Sequence, residues 1–167
     1  MKTLPNDYQN FIALSRYARW LPEKKRRETW SETVARYFDF MEEHLRENTN
    51  QELEPKTRKV LENAVLNLEV MPSMRALMTA GKSLKDNNIA GYNCAYLSVD
   101  HPKAFDECLY ILMHGTGVGF SVERQHIGKL PEIPEQVVEV DDIIVVQDSK
   151  EGWQSAFRKL ISYLFDG

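Results

Sequence analysis

Cysteine is scarce in this chain, which has only Cys94 and Cys108 among its 167 residues. Two thiols are too few for the disulfide framework of a small secreted domain. Residues 1–8 lack the apolar core of a signal peptide, and no apolar run approaches the roughly 18 residues that span a membrane. These absences predict a cytoplasmic protein with reduced thiols and no membrane partner.

An excess of basic charge is also absent. The 21 lysines and arginines are outnumbered by 25 acidic residues, and the formal net charge is −4. No broad positive field therefore exists to attract nucleic acid or acidic lipid. The one basic cluster, Lys24 to Arg27, is followed by Glu28 and Glu32, and we interpret it as the solvated start of a helix.

Metal-ligand spacing is missing too. The histidines are scattered, and neither H-x-x-x-H nor C-x-x-C occurs in the sequence. We therefore predict no metal site and assign surface or interface roles to His44, His101, His114 and His126.

Helical periodicity dominates residues 1–70 of a chain whose composition, 43% hydrophobic and 28% charged, is typical of a globular protein. Three segments place sets of residues on one helical face, at spacings of three and four. They are Tyr8, Phe11, Ile12 and Ser15; Trp30, Val34, Tyr37, Phe38, Met41 and Leu45; and Leu61, Ala64, Val65 and Leu68. We predict an N-terminal helical region that ends at Met71-Pro72, because proline disfavours helical geometry in the preceding residue.

Residues 71–167 change in pattern. A polar loop at 81–88 precedes a strand at 95–99, and Pro102 opens a helix. The inner face of that helix is formed by Phe105, Cys108, Leu109 and Leu112. A second strand follows at 118–122, so that strand, helix and strand occur within about 30 residues, which predicts a parallel βαβ unit.

The last part of the chain predicts a hairpin and a helix. Residues 137–140 and 143–146 are apolar, β-branched runs joined by Asp141-Asp142, a pattern that indicates two paired strands. Ser149 is suited to cap the final helix. The wide apolar stripe of that helix needs a partner surface and consists of Trp153, Ala156, Phe157, Leu160, Ile161 and Leu164.

Three glycines occur within five residues in Gly115-Thr116-Gly117-Val118-Gly119. In phosphate-binding loops the glycines lie between a strand and a following helix, whereas here they lie between a helix and a following strand. Glycines permit positive φ and the close approach of another molecule. A helix C-cap and a tight turn would explain one or two of them. On spacing alone, ligand contact and a turn remain equal alternatives.

The two cysteines differ in their surroundings. Cys108 lies on the apolar stripe of its helix, where a cysteine acts as a small hydrophobic residue, and we assign it a structural role. Cys94 starts a strand between polar and aromatic neighbours, Asn93 and Tyr96 among them. No second cysteine lies two or three residues away, so the local sequence alone does not establish a redox-active thiol.

Several segments of the sequence, taken in order, resemble one known family. They are residues 17–24 with 30–34, Met71 to Arg75, Asn93-Cys94, residues 105–109, residues 115–122 and residues 148–153. Together they resemble the N-terminal portion of the adenosylcobalamin-dependent (class II) ribonucleotide reductases. The segments Arg19 to Lys24 and Gly117 to Val122 favour the cobalamin class within that family.

The resemblance implies an α/β fold, in which the helical region is followed by the first βαβ part of a ten-stranded α/β barrel. It also implies an oxidoreductase that makes deoxyribonucleotides for DNA synthesis, with adenosylcobalamin as the source of the radical. In that chemistry water leaves C2′ of the ribose, and two cysteines deliver the reducing equivalents. A thioredoxin-type dithiol then reduces the disulfide that they form. Cys94 matches the first cysteine of this pair.

Other site residues follow from the resemblance alone. The substrate ribonucleotide is expected to contact Met71, Ser73, Asn93, Gly117 and Gly119. A deoxynucleotide effector is expected near Asp100 and Arg124. The helix from Lys103 to Met113 would then lie at the interface of a homodimer.

The family needs more chain than these 167 residues. The radical cysteine, the second reducing cysteine, the phosphate-binding loop and the C-terminal shuttle cysteines have no counterpart here. We therefore expect the chain to be inactive alone and to act with a remaining reductase chain that binds most of the cobalamin. The alternative is a non-catalytic module that binds deoxynucleotides or occupies a reductase interface.

Overall fold

The computed structural model describes residues 4–136 and 139–166, which fall into two compact units, Met1–Gly91 and Tyr92–Gly167. The first unit is mostly helical. Its elements are α1 (Asp7–Ile12), a π-helical turn (Ala13–Tyr17), β1 (Trp20–Leu21), a 3₁₀ turn (Pro22–Lys24), β2 (Arg26–Arg27), α2 (Trp30–Thr49), α3 (Pro55–Leu66), α4 (Met74–Thr79), α5 (Lys82–Asp86) and a second 3₁₀ turn (Asn88–Gly91). No described helix is both long and apolar enough to cross a membrane.

Helix α2 forms where the sequence predicts its longest apolar stripe. It begins with a capping box: the side chain of Thr29 accepts a hydrogen bond from the backbone N–H of Glu32, whose carboxylate accepts one from the backbone N–H of Thr29. The helix ends at Thr49 and is capped by Asn50, which adopts the left-handed conformation with φ 54°. Its inward face joins the core of the unit, whose buried members are Leu4, Ala13, Tyr17, Trp30, Val34, Phe38, Val65 and Leu77.

A buried charge network lies beside this core. Glu28 is 4% exposed, and its carboxylate accepts hydrogen bonds from Arg36 at 2.9 and 3.1 Å and from the hydroxyl of Thr33 at 3.1 Å. The guanidinium of Arg36 also donates to the carbonyls of Ala80 and Tyr17. One ion pair therefore joins segments that are far apart in the sequence.

Helix α1 contains Tyr8, Phe11 and Ile12 of the first predicted face, although Tyr8 is 72% and Phe11 65% exposed, and Ser15 lies in the π-helical turn. Two other predictions for the first unit are wrong. The basic cluster does not start a helix, because Lys25 takes a left-handed conformation with φ 49° and Arg26 lies in β2, where it pairs with Glu32. The predicted loop at 81–88 contains α5.

The second unit contains the predicted βαβ unit. Strands β3 (Cys94–Ser98) and β4 (Gly117–Ser121) pair in parallel, and α6 (Lys103–Met113) connects them. A short helix α7 (Arg124–Ile127) and the long α8 (Lys150–Asp166) follow. Ser149 caps α8 as predicted, since its hydroxyl accepts a hydrogen bond from the backbone N–H of Gly152 at 3.0 Å.

Helices α6 and α8 are joined by an ion pair in which the carboxylate is buried and the guanidinium is half exposed. Asp106 is 1% exposed, and its carboxylate accepts hydrogen bonds from Arg158 and from Gln154 at 2.9 Å. The predicted inner face of α6 is therefore only partly correct, because Asp106 is buried while Leu112 is 49% exposed. The apolar stripe of α8 is likewise only partly covered among the described residues, with Trp153 53% exposed.

The predicted hairpin is wrong for the residues that the structure describes. Residues 143–146 form no strand, and Ile143 and Val145 are each 83% exposed; residues 137–138 lie outside the described part of the chain. Instead this segment contacts α8, because the carboxylate of Asp142 pairs with Lys159 at 2.6 Å and accepts a hydrogen bond from the hydroxyl of Tyr163. Apolar β-branched runs become strands only when a second strand completes their hydrogen bonds.

Candidate active site

Cys94 and Gly117 stand beside each other at the start of the two parallel strands. They are register partners, and the register continues through Tyr96 with Gly119 to Ser98 with Ser121. Side chains alternate between the two faces of a strand, so Cys94, Tyr96 and the two glycines share one face. Cys94 is exposed, as is Tyr96 at 67%. We call this surface the Cys94 face.

The opposite face of the strand pair is more buried. Ala95, Leu97 and Val118 are partly buried there, and the neighbouring helix α6 contributes the fully buried Ala104. Phe120 is the exception, with 61% exposure. Helix packing on one side therefore leaves the thiol of Cys94 open on the other.

On β4, the Cys94 face is formed by Gly117 and Gly119. A Cβ atom placed on Gly117 would lie 3.6 Å from the carbonyl oxygen of Asn93, and one on Gly119 would lie 3.8 Å from Cδ2 of Tyr96, both ordinary contact distances. Of the three glycines in the loop, Gly115 alone has a positive φ, 81°, and it follows the end of α6. The turn explains Gly115, whereas neither a positive φ nor a clash explains the other two glycines.

The backbone that leads into Cys94 accepts hydrogen bonds from residues 115–119, which we call the glycine loop. The N–H of Gly117 donates to the carbonyl of Asn93 at 3.0 Å, and the hydroxyl of Thr116 donates to the carbonyl of Tyr92, also at 3.0 Å. Sequence reasoning noticed the glycines and missed Thr116. The available signal was a hydroxyl residue between two glycines, but its acceptor, Tyr92, lies more than twenty positions earlier.

The two residues expected near an effector both lie in the second unit. Asp100 follows β3 and is half-buried, with its carboxylate 3.7 Å from Nζ of Lys129 and 3.9 Å from Nε2 of His101. Arg124 is exposed at the first position of α7.

A cavity of about 630 Å³ lies in the second unit beside the start of α6. Its lining includes the cationic side chains of Lys103 and Arg158 and the ring of Phe165. The Arg158 guanidinium pairs with Asp106 at 2.6 Å, which raises the pKa of Arg158. The lining therefore combines apolar surface with basic groups and with the carboxylates of Asp106 and Asp166.

Met71 and Ser73, the remaining candidates for substrate contact, belong to the first unit. The hydroxyl of Ser73 caps α4 by accepting a hydrogen bond from the N–H of Ala76 at 3.4 Å. Met71 is 49% exposed and lines an apolar cavity of about 350 Å³ with Tyr17 and Trp30 among its other walls. The structure thus gathers Asn93, Cys94, Gly117 and Gly119 in one unit and this pair in the other.

No metal centre accompanies the thiol in the described part of the chain. Within residues 4–136 and 139–166, no group of three or more histidine, cysteine, aspartate or glutamate side chains is placed to hold a metal ion. The buried His114 directs Nδ1 to the carbonyl oxygen of Tyr110 at 2.9 Å. The Cys94 face presents an exposed thiol beside the backbone of Gly117.

Comparison with known proteins gives a family for this arrangement. A family model described as the ribonucleotide reductase alpha domain matches residues 2–82. The adenosylcobalamin-dependent ribonucleoside-triphosphate reductase of Lactobacillus helveticus is 28% identical over 169 residues, covering 85% of this chain and 22% of that protein. The protein of the same name from Lacticaseibacillus paracasei is 31% identical over 149 residues, covering 70% of this chain and 19% of that protein.

A solved structure shows the same fold. The crystal structure of a B12-dependent (class II) ribonucleotide reductase matches with a TM-score of 0.75 at 24% identity, over 93% of this chain and 29% of that chain. The chain spans about a fifth of the length of the curated relatives, 22% for Lactobacillus helveticus. Together these findings show that the chain is similar to the N-terminal portion of the adenosylcobalamin-dependent (class II) ribonucleotide reductases.

Proposed function

We propose that this chain forms the N-terminal part of a ribonucleotide reductase, in which Cys94 is one of the two thiols that reduce the substrate. The observation that carries the proposal is the exposed Cys94 beside Gly117, on a sheet face that α6 leaves open. The relatives are named ribonucleoside-triphosphate reductases, so we assign a ribonucleoside triphosphate as the substrate class.

The reaction needs two reducing equivalents from protein thiols. The C2′–O bond of the ribose breaks, water leaves, and a C2′–H bond forms. Two thiols lose two electrons and two protons and become a disulfide, which an external thioredoxin-type dithiol reduces by exchange. Cys94 supplies one of these thiols, and the other belongs to the remaining reductase chain. Cys94 is the first residue of β3 and pairs with Gly117, and accurate placement of its sulfur lowers the barrier of the step.

Adenosylcobalamin supplies the radical chemistry when it is bound. We assign most of the binding of this cofactor to the remaining reductase chain. The role of this chain is to present the thiol and part of the nucleotide sites.

We assign the floor of the substrate site to Asn93, Gly117 and Gly119, and a further part of it to the segment of Met71 and Ser73. The glycines support the first assignment because they leave the backbone beside the sulfur open to a ribose.

The effector site is assigned to the second unit. The exposed guanidinium of Arg124 suits the phosphates of a deoxynucleotide, and the carboxylate of Asp100 suits sugar hydroxyls. Helix α6, with Leu112 49% exposed, is assigned to the interface of a homodimer. We assign the reaction to the cytoplasm.

A hybrid enzyme tests this proposal. The hybrid consists of the Lactobacillus helveticus relative with its matching N-terminal segment replaced by this chain. We call this hybrid the assembled reductase. We expect it to form deoxyribonucleoside triphosphates only with both adenosylcobalamin and a dithiol. A hybrid that folds and binds nucleotide but forms no product contradicts the proposal. Tight binding of dATP or dGTP by the isolated chain, together with an inactive hybrid, would favour a non-catalytic nucleotide-binding module instead.

A further inference from the structure

Thr116 lies between two glycines, yet its side chain is 1% exposed and belongs to the most deeply buried group in the described chain. Its hydroxyl donates a hydrogen bond to the carbonyl of Tyr92 at 3.0 Å. The next residue, Gly117, donates its backbone N–H to the carbonyl of Asn93 at 3.0 Å. Thr116 and Gly117, which are consecutive, thus donate hydrogen bonds to the carbonyls of the two residues directly before Cys94.

In the part of the chain that the structure describes, the side chains of the segment before Cys94 are exposed. Tyr92 is 64% exposed, and Asn93 and Cys94 are exposed as well, so side-chain burial does not fix this backbone. Cys94 is also the first residue of β3, where a strand has fewer neighbouring hydrogen bonds than in its middle. The hydrogen bond from the Thr116 hydroxyl is accepted by the carbonyl of Tyr92, two residues before the strand begins.

The hydroxyl explains why threonine suits this buried position. A hydroxyl removed from water costs free energy unless it finds a partner, so an apolar residue of the same shape would be accepted if packing were the sole requirement. Valine has that shape without the donor. The comparison between threonine and valine therefore separates the hydrogen bond from the packing.

We propose that Thr116 is a positioning residue for Cys94 in the reductase reaction, an inference that rests on the proposed function. Its hydroxyl fixes the backbone ahead of Cys94, so that the sulfur meets the ribose at one distance and direction. In enzymes, a misplacement of about 1 Å can lower the rate on the order of 100-fold.

Three variants isolate the hydroxyl. Thr116→Val removes the donor and keeps the shape, whereas Thr116→Ser keeps the donor. Thr79→Val is the matched control, since Thr79 is also buried and donates its hydroxyl to a backbone carbonyl, that of Arg75 at 2.6 Å on α4.

The first measurement uses the 167-residue chain and does not depend on activity. Amide hydrogen exchange of Gly117 reports its bond to Asn93, and exchange of Val99, whose N–H donates to Ser121 at 3.0 Å, reports the other end of the strand pair. We expect Thr116→Val to raise the exchange rate of Gly117 about tenfold and to leave that of Val99 within about twofold. Thr116→Ser and Thr79→Val should leave both rates near those of the unmodified chain.

The second measurement uses the assembled reductase. We expect Thr116→Val to lower kcat by about 10- to 100-fold with KM changed less than about twofold, because the thiol acts after the substrate is bound. Thr116→Ser should restore most of kcat, and Thr79→Val should retain it.

Two results would overturn the inference: unchanged exchange of Gly117 together with unchanged kcat in Thr116→Val, or a Thr116→Ser variant as impaired as Thr116→Val. Should Thr116→Val fail to fold, Thr116→Ser decides, since impaired exchange or turnover with the hydroxyl retained contradicts the proposal. If Cys94→Ser leaves the turnover of the assembled reductase unchanged, the proposed role of Cys94 is wrong. The inference about Thr116 then fails as well, whatever the exchange rates show.

Discussion

Cys94 and Gly117 are register partners on parallel strands, so the position beside the cysteine carries no side chain and leaves the space of one open. A methyl group at residue 117 would reach into that space and meet the carbonyl oxygen of Asn93 at 3.6 Å, an ordinary contact. The size of residue 117 therefore sets how closely another molecule approaches the thiol, without setting whether the strands pair.

Gly117→Ala should separate activity from stability. We expect the free energy of unfolding to stay the same or rise by up to about 1 kcal/mol, because alanine loses less backbone entropy than glycine in a strand. The kcat/KM of the assembled reductase should fall, since the methyl group occupies the floor of the substrate site. Urea unfolding of the chain and steady-state kinetics check the two halves. Gly91→Ala, whose Cβ would meet Leu84 at 3.4 Å, is the control and should leave kcat/KM unchanged.

The two thiols should react at different rates in the folded chain. Cys94 is exposed, whereas Cys108 is half-buried on α6. We expect a thiol-specific disulfide reagent to label one cysteine per chain rapidly and the other slowly. Cys94→Ser should remove the fast phase and Cys108→Ser the slow one. Fast labelling of Cys108 and slow labelling of Cys94 would contradict this expectation.

The buried pair of Glu28 and Arg36 should dominate the stability of the first unit. Glu28→Gln leaves the Arg36 guanidinium without its counter-charge, and breaking a buried pair in this way costs about 3–5 kcal/mol. Urea unfolding followed by circular dichroism measures the loss. Lys82→Ala removes an ion pair with Asp86 whose partners are 83% and 59% exposed, and it should change stability by less than about 0.5 kcal/mol. Equal effects of the two variants would contradict the burial of Glu28.

The capping box of α2 should make the chain sensitive to acid. Hydrogen bonds from Arg26, Lys24 and the backbone of Thr29 hold the pKa of Glu32 well below its usual range. A carboxylate with a lowered folded-state pKa stabilises the fold above its unfolded pKa of about 4.3, and this contribution is lost as the pH falls further.

We therefore expect the difference in Tm between the unmodified chain and Glu32→Gln to be largest near neutral pH and to shrink as the pH falls below about 4.3. Thermal unfolding between neutral pH and strong acid measures it. Glu52→Gln, at an exposed position between α2 and α3, is the control and should follow the unmodified chain. A constant difference across the whole range would exclude the charge of Glu32 as the cause.

Local periodicity was sufficient to predict the parts of the fold that depend on near neighbours. The stripe from Trp30 to Phe38 predicts α2, and the order of apolar runs predicts β3, α6 and β4 with their parallel pairing. The hairpin failed because residues 143–146 needed a second strand that no local pattern guarantees. Asp142 instead pairs with Lys159 of α8.

The candidate site was predictable in outline and not in detail. The βαβ topology brings Cys94 and the glycine loop to the same end of the two parallel strands, and this follows from sequence order alone. The acceptor of the Thr116 hydroxyl and the partner of Asp106, Arg158, lie far away in the sequence. Such contacts depend on the packed structure, so no spacing rule predicts them.

Dithiol-dependent turnover of the assembled reductase with serine at each cysteine in turn tests the role of Cys94 most directly. Deoxyribonucleotide formed per enzyme is measured with adenosylcobalamin and excess dithiol. We predict that Cys108→Ser sustains many turnovers, whereas Cys94→Ser sustains none. Undiminished turnover by Cys94→Ser would contradict the assignment of this thiol as a substrate reductant.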